Sequence, residues 1–195
     1  MENTNKIYEN YSWFVTQLNL CGVNAEKLID YLGGQEKVMR AVAGSNLDSG
    51  LAYAGSLLEH VKIVSEIAKR NAKMISGAIT IDEKSIIKVA LLNQIAKVLM
   101  FVPNTNEWQI KNQGKLYVFE ELKGALRCGE RSTWICSEVG IKFTEEEYEA
   151  MKVLDKDLSE DNYAKLYSSP LSIIIRNAND MAALFAKEIY KKEKK

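Results

Sequence analysis

Between Tyr8 and Leu20 the apolar residues Tyr11, Phe14, Val15 and Leu18 recur at helical spacing, so they share one stripe of a helix that Cys21-Gly22 ends. Asn24 can cap a second short helix through Leu32, closed by Gly33-Gly34, and residues 44–50 (Gly-Ser-Asn-Leu-Asp-Ser-Gly) form the strongest loop signal. Leu57, Val61, Val64 and Ala68 then predict an amphipathic helix from about Ser56 to Asn71, with His60 at the edge of its apolar face and turned toward the core. Thr80 with Glu83 reads as a capping box opening a helix that is apolar almost all round from Ile86 to Phe101 and stops at Pro103. Trp108–Lys111, Asn112-Gln113-Gly114 and Lys115–Phe119 read as a β-hairpin with Gly at the turn. Thr144 with Glu147 caps a further helix to about Leu154, and Ser169-Pro170 supplies the N-cap and first residue of a last helix to about Tyr190. The pattern predicts an all-α fold, a bundle of about seven or eight helices with a small β-hairpin insertion.

Composition narrows the chemistry. The 195 residues suit one domain with a full core. Lys plus Arg equals Asp plus Glu at 26 each, which argues against nucleic-acid or anionic-membrane attraction, and the basic tail 191–195 reads as a frayed, solvated terminus. Cys21, Cys128 and Cys136 form no CxxC pair and no even framework, arguing against structural zinc and disulfides. The start, Met1-Glu2-Asn3-Thr4-Asn5, has no basic segment followed by an apolar one, and no run is long and apolar enough to span a bilayer, so a cytoplasmic protein is expected. GxGxxG, GxxxxGK[ST], HExxH and GxSxG are all missing. With His60 as the sole histidine, any hydrolytic metal site has to be built from one imidazole and carboxylates.

Five segments in order carry a resemblance. Leu51–His60 (LAYAGSLLEH) is similar to the "AYxGGLLEH" segment of HD-domain phosphohydrolases, all-helical metal enzymes named for a His-Asp pair. Ala90–Lys97 resembles their "LLHDxxK", with Asn93 and Gln94 in place of the His and Asp and Lys97 retained. Arg127–Ser132 resembles "GHGEKS", with Cys128 where a His stands. Phe143–Glu147 resembles "LTxEE", and the following helix brings Leu154 to the histidine of "RWH". Asn179–Ala183 resembles the closing "ADMxA", which keeps the last aspartate as Asp180. The resemblance divides the chain into an N-terminal helical segment packed on the core (residues 1–49), an HD-like helical domain (50–190) and the basic tail.

The resemblance implies a degenerate member of the family. Of its ligands only His60 and Asp180 remain, since Asn93, Gln94, Cys128 and Leu154 replace the others, and amide oxygens are weak neutral ligands. No metal and no catalytic residue is then expected, and His60 and Asp180 should hydrogen-bond each other, or Asn93, inside the core. Lys97, Arg131 and Lys152 would form a phosphate-binding site if they converge. Trp108, Tyr117 and Phe119 would pack the hairpin on the helices or stack on a base. The expectation is a pseudoenzyme that binds a protein partner, its own copies or a phosphorylated ligand such as a nucleotide. The alternative is an active nucleotide phosphohydrolase using Mn, Fe, Ni or Zn held by His60, Asn93, Gln94 and Asp180.

Overall fold

The computed structural model describes residues 4–120, 124–155 and 168–193. In chain order its elements are α1 (Thr4–Leu20), α2 (Ala25–Tyr31), α3 (Gln35–Arg40), α4 (Ser56–Ile75), α5 (Glu83–Leu92), α6 (Lys97–Met100), β1 (Phe101–Pro103), α7 (Glu107–Gln113), β2 (Tyr117–Phe119), α8 (Cys128–Glu138), α9 (Glu145–Met151) and α10 (Pro170–Glu193). Two single 3-10 turns, Leu47–Ser49 and Val153–Asp155, complete it. The protein is all-α apart from a two-stranded antiparallel ribbon, and no described helix is long and apolar enough to cross a membrane.

Side-chain caps start several of these helices. Asn24 accepts from the Lys27 amide at 3.0 Å, and Thr144 and Glu147 exchange the two bonds of a capping box at 3.2 and 3.0 Å. Before α10 the Ser169 hydroxyl accepts from the Ser172 amide at 3.2 Å. At α5 the cap is Asp82, which accepts from the Ser85 amide at 2.9 Å, and not Thr80. The carboxylate, nearer the first turn, takes the orphan donors there.

The long apolar helix expected from Ile86 to Phe101 is broken at residues 93–96. In an uninterrupted helix the Ala96 amide would donate to Leu92, but here it donates to the Ser132 hydroxyl of α8 at 3.1 Å, while the Ile95 and Lys97 amides make tighter bonds three residues back. Asn93 and Gln94 therefore sit in a turn.

The hairpin also differs from its sequence reading. Its first arm is Phe101–Pro103, paired with Tyr117–Phe119 in the register Phe101 to Phe119, and the Phe101 and Phe119 rings stack 5.0 Å apart. Trp108–Lys111 instead lies in α7, because Asn106 caps its start on the Gln109 amide at 3.1 Å and Gly114, at φ 60°, ends it in the left-handed region. Trp108 and Phe119 remain exposed, so neither packs the ribbon onto the helices.

A single hydrophobic cluster joins the described helices other than α7, which buries no residue. Its axis is α4, packed between α10 and α5 and covered by α1, while α9 packs on α10 and α5. Phe14 and Leu18 of α1 are sealed from solvent, so the N-terminal helix belongs to this core. Phe14→Ala is expected to lower unfolding free energy by about 3–5 kcal/mol through a cavity, whereas Tyr8→Ala, at an exposed position of the same helix, should stay within about 0.5 kcal/mol. Denaturant unfolding measures both, and equal losses would contradict the packing of α1.

Candidate functional site: a buried polar cluster

Three distant elements deliver polar side chains to one place beneath the surface. α4 contributes His60, the turn after α5 contributes Gln94, and α10 contributes Asn179, each buried. The Gln94 Nε2 donates to Asn179 Oδ1, and Asn179 Nδ2 donates to the Ile175 carbonyl of its own helix at 2.8 Å, which fixes the amide's orientation. The Asn179 side chain lies beside the His60 imidazole. Burial, and after it the nearby Lys97 charge, push the imidazole pKa down to about 3 against the opposing influence of Asn179, so the ring is neutral over the physiological range. His60 Nδ1 and both amide atoms of Asn93 are buried without a partner.

His60 thus has Asn179 as its amide neighbour, and bonds neither Asp180 nor Asn93. Asp180 is exposed and lines an apolar groove with Met74, Ile75 and Met181. Helix phase explains the difference: Leu171, Ile175, Ala178 and Ala182 set the buried stripe of α10, and a turn of about 100° per residue puts position 179 beside that stripe and 180 opposite it. That signal lay in the sequence and points to Asn179. Leu154 packs half-buried against the core. Cys128 opens α8, where burial raises its thiol pKa against the lowering influence of Lys97, and Cys136 is pushed up to about 12 by burial. Neither is an activated nucleophile.

The three candidate phosphate-binding cations are engaged within the protein. Lys97 Nζ donates to the Ala43 carbonyl at 2.7 Å, and burial lowers its pKa. Arg131 donates to the Gly124 carbonyl at 2.9 Å. The Lys152 ammonium lies 4.2 Å from the Tyr148 ring centroid. Lys97 and Arg131 both lie close enough to Cys128 to act on its thiol, whereas Lys152 turns to Tyr148. Sequence reasoning missed Asp155, whose carboxylate accepts from the Gly129 and Glu130 amides at 3.0 and 2.8 Å and so occupies the N-terminus of α8. A Cβ at Gly129 would lie 2.5 Å from the Met151 carbonyl, which ties glycine to that position.

These residues do not fit a divalent ion. Among the described residues no three His, Cys, Asp or Glu side chains gather, and around His60 stand neutral amides, two of them bonded to each other. No family model, curated protein or solved structure matches the chain.

A buried neutral imidazole makes stability depend on pH with a definite sign. The unfolded chain takes up a proton at the ordinary histidine pKa of 6.5 and the folded chain only near 3, so this contribution is present above about 6.5 and is lost as the pH falls toward 3. The slope is at most about 1.4 kcal/mol per pH unit. Urea unfolding between about pH 7 and pH 4 should show a steeper acid loss in the wild type than in His60→Gln. Parallel curves would contradict a neutral buried His60.

Proposed function

We propose that this chain is a degenerate HD-like domain that binds and does not hydrolyse. The observation that carries the reading is the Gln94 to Asn179 hydrogen bond beside His60. It joins two of the segments that the resemblance assigns to the family's metal-holding helices, and it places uncharged groups beside the third, which carries His60. Without a carboxylate facing His60 the cluster has no means of holding an ion, and without an ion there is no route to hydroxide near neutral pH. The competing phosphohydrolase reading requires Asp180 as a ligand, and that residue lies on the exposed face of α10.

Three kinds of ligand suit a binding domain of this build. A phosphorylated molecule is best served by the groove of about 530 Å³ lined by Ser45, Ser49, Lys97, Arg127 and Cys128, which carries two cations and no acidic side chain among its described lining. A protein partner or second copy is best served by the apolar groove of Met74, Ile79, Ile173 and Met181, all exposed. Three free cysteines accord with a reducing, cytoplasmic setting.

Metal analysis of chelator-free protein, together with phosphate release from nucleoside phosphates, tests the reading. The wild type should carry no stoichiometric Mn, Fe, Ni or Zn and release no phosphate. The variant Asn93→His, Gln94→Asp, Asn179→Asp should take up Mn or Fe, because it restores imidazole and carboxylate around His60. A stoichiometric metal in the wild type that disappears in His60→Ala, or nucleotide hydrolysis, would overturn it.

A further inference from the structure

The groove of about 530 Å³ lined by the loop 44–49, the junction of α6 with β1 and the start of α8 carries positive charge that nothing in it offsets. Lys97 gives one N–H of its ammonium to the Ala43 carbonyl at 2.7 Å, and Arg127 gives one of its own to the Asp155 carbonyl. Among the described residues neither cation is paired with a carboxylate. A neutral carbonyl accepts a donor and leaves the charge, so two N–H groups of Lys97 and the full charge of both side chains stay available. Arg131, only 7% exposed and likewise without a carboxylate partner, stands near Cys128 with its Nε buried and unbonded. The Asp155 carboxylate, which also acts on Cys128, is committed to the Gly129 and Glu130 amides. An unpaired charge held partly out of water is costly, and an anion entering the groove removes that cost. Two lining cations suit a dianion, and a phosphate monoester carries about −1.5 to −2 charges near neutrality.

The rest of the lining decides what the anion is attached to. Beside the cations stand Met100, Phe101 and Phe119, with Phe119 64% exposed and stacked on Phe101. The hydroxyls of the loop are already used. Ser49 Oγ donates to the Asn46 carbonyl at 2.6 Å and accepts from the Leu51 amide at 3.1 Å, and Ser45 Oγ donates to Asn46 Oδ1 at 3.3 Å. The Ser45 carbonyl accepts from both the Leu116 and Tyr117 amides. A sugar or other hydroxylated body would therefore lose its water against an apolar wall without gaining partners, whereas an apolar body gains by covering that wall.

We infer that this groove binds a phosphate monoester of an apolar alcohol, with the phosphate between Lys97 and Arg127 and the hydrocarbon body on Met100, Phe101 and Phe119. The inference rests on the reading of the chain as a domain that binds and does not hydrolyse, and it narrows the phosphorylated ligand to an amphiphilic one.

Calorimetric titration of the full chain with hexyl phosphate, ribose 5-phosphate and 1-hexanol tests it. Hexyl phosphate should bind one per chain, ribose 5-phosphate about tenfold more weakly, and the uncharged alcohol not measurably. Lys97→Met, which keeps the length of the side chain and removes its charge, should weaken hexyl phosphate by about tenfold, and so should Arg127→Gln at an exposed position. Phe119→Ser, also at an exposed position, should bring the two esters to similar affinity. No binding of hexyl phosphate, affinity unchanged in both charge variants, ribose 5-phosphate binding as tightly as hexyl phosphate, or 1-hexanol binding as tightly as its ester would each overturn the inference. Inorganic phosphate released from bound hexyl phosphate would overturn the non-hydrolytic reading and leave the site standing. Absent hexyl phosphate binding in a protein free of metal and hydrolysis would overturn the site alone.

Discussion

A hydrogen bond between two uncharged amides, Gln94 to Asn179, spans 85 residues of chain and joins the turn after α5 to the last helix. Both partners are buried, and a buried amide that loses its partner costs about 1–3 kcal/mol, so the pair constrains everything packed around it. Gln94 reaches Asn179 from the turn at residues 93–96, which exists because Ser132 of α8 captures the amide that an unbroken helix would have used. Neutral contacts thereby tie the turn after α5 to α8 and α10, and α4, which carries His60, packs against α5 and α10.

The electrostatics of the site follow from the same constraint. With amides as neighbours, burial decides the state of the imidazole, and Lys97 reinforces it. The cationic groups nearby are similarly turned inward, Lys97 to the Ala43 carbonyl and Arg131 to the Gly124 carbonyl, and the Asp155 carboxylate fills the amide cradle at the start of α8. Cations and a carboxylate turned onto the protein's own backbone are suited to holding a shape. The cavity beside His60 is where that shape stays open.

Much of the fold was legible because local signals and packing agreed. The stripe of Phe14 and Leu18, the caps at Asn24 and Thr144, and the period through Leu57, Val61, Val64 and Ala68 each report a helix whose apolar face meets the core. What misled was information that is not local. The apolar run after Ile86 could not reveal its break, since the group responsible, Ser132, arrives from another helix. The ribbon was misplaced because α7 is set by Asn106 and Gly114 at its ends, while Trp108–Lys111 carries residues that also suit a strand. At the site, His60 and Gln94 were legible as positions. Asp180 came from the resemblance to the closing "ADMxA" segment, whereas the phase of Leu171, Ile175, Ala178 and Ala182 turns 179 inward.

His60 is the only histidine in the chain, so its ring protons give one unambiguous NMR signal, and their titration with and without added Zn is the most direct test of a neutral, metal-free site. The account predicts a shift that stays flat from neutrality well below the ordinary value of 6.5, toward an apparent pKa of about 3, and that does not move with the metal. A midpoint near 6.5, or a resonance that shifts or broadens with stoichiometric Zn, would contradict it.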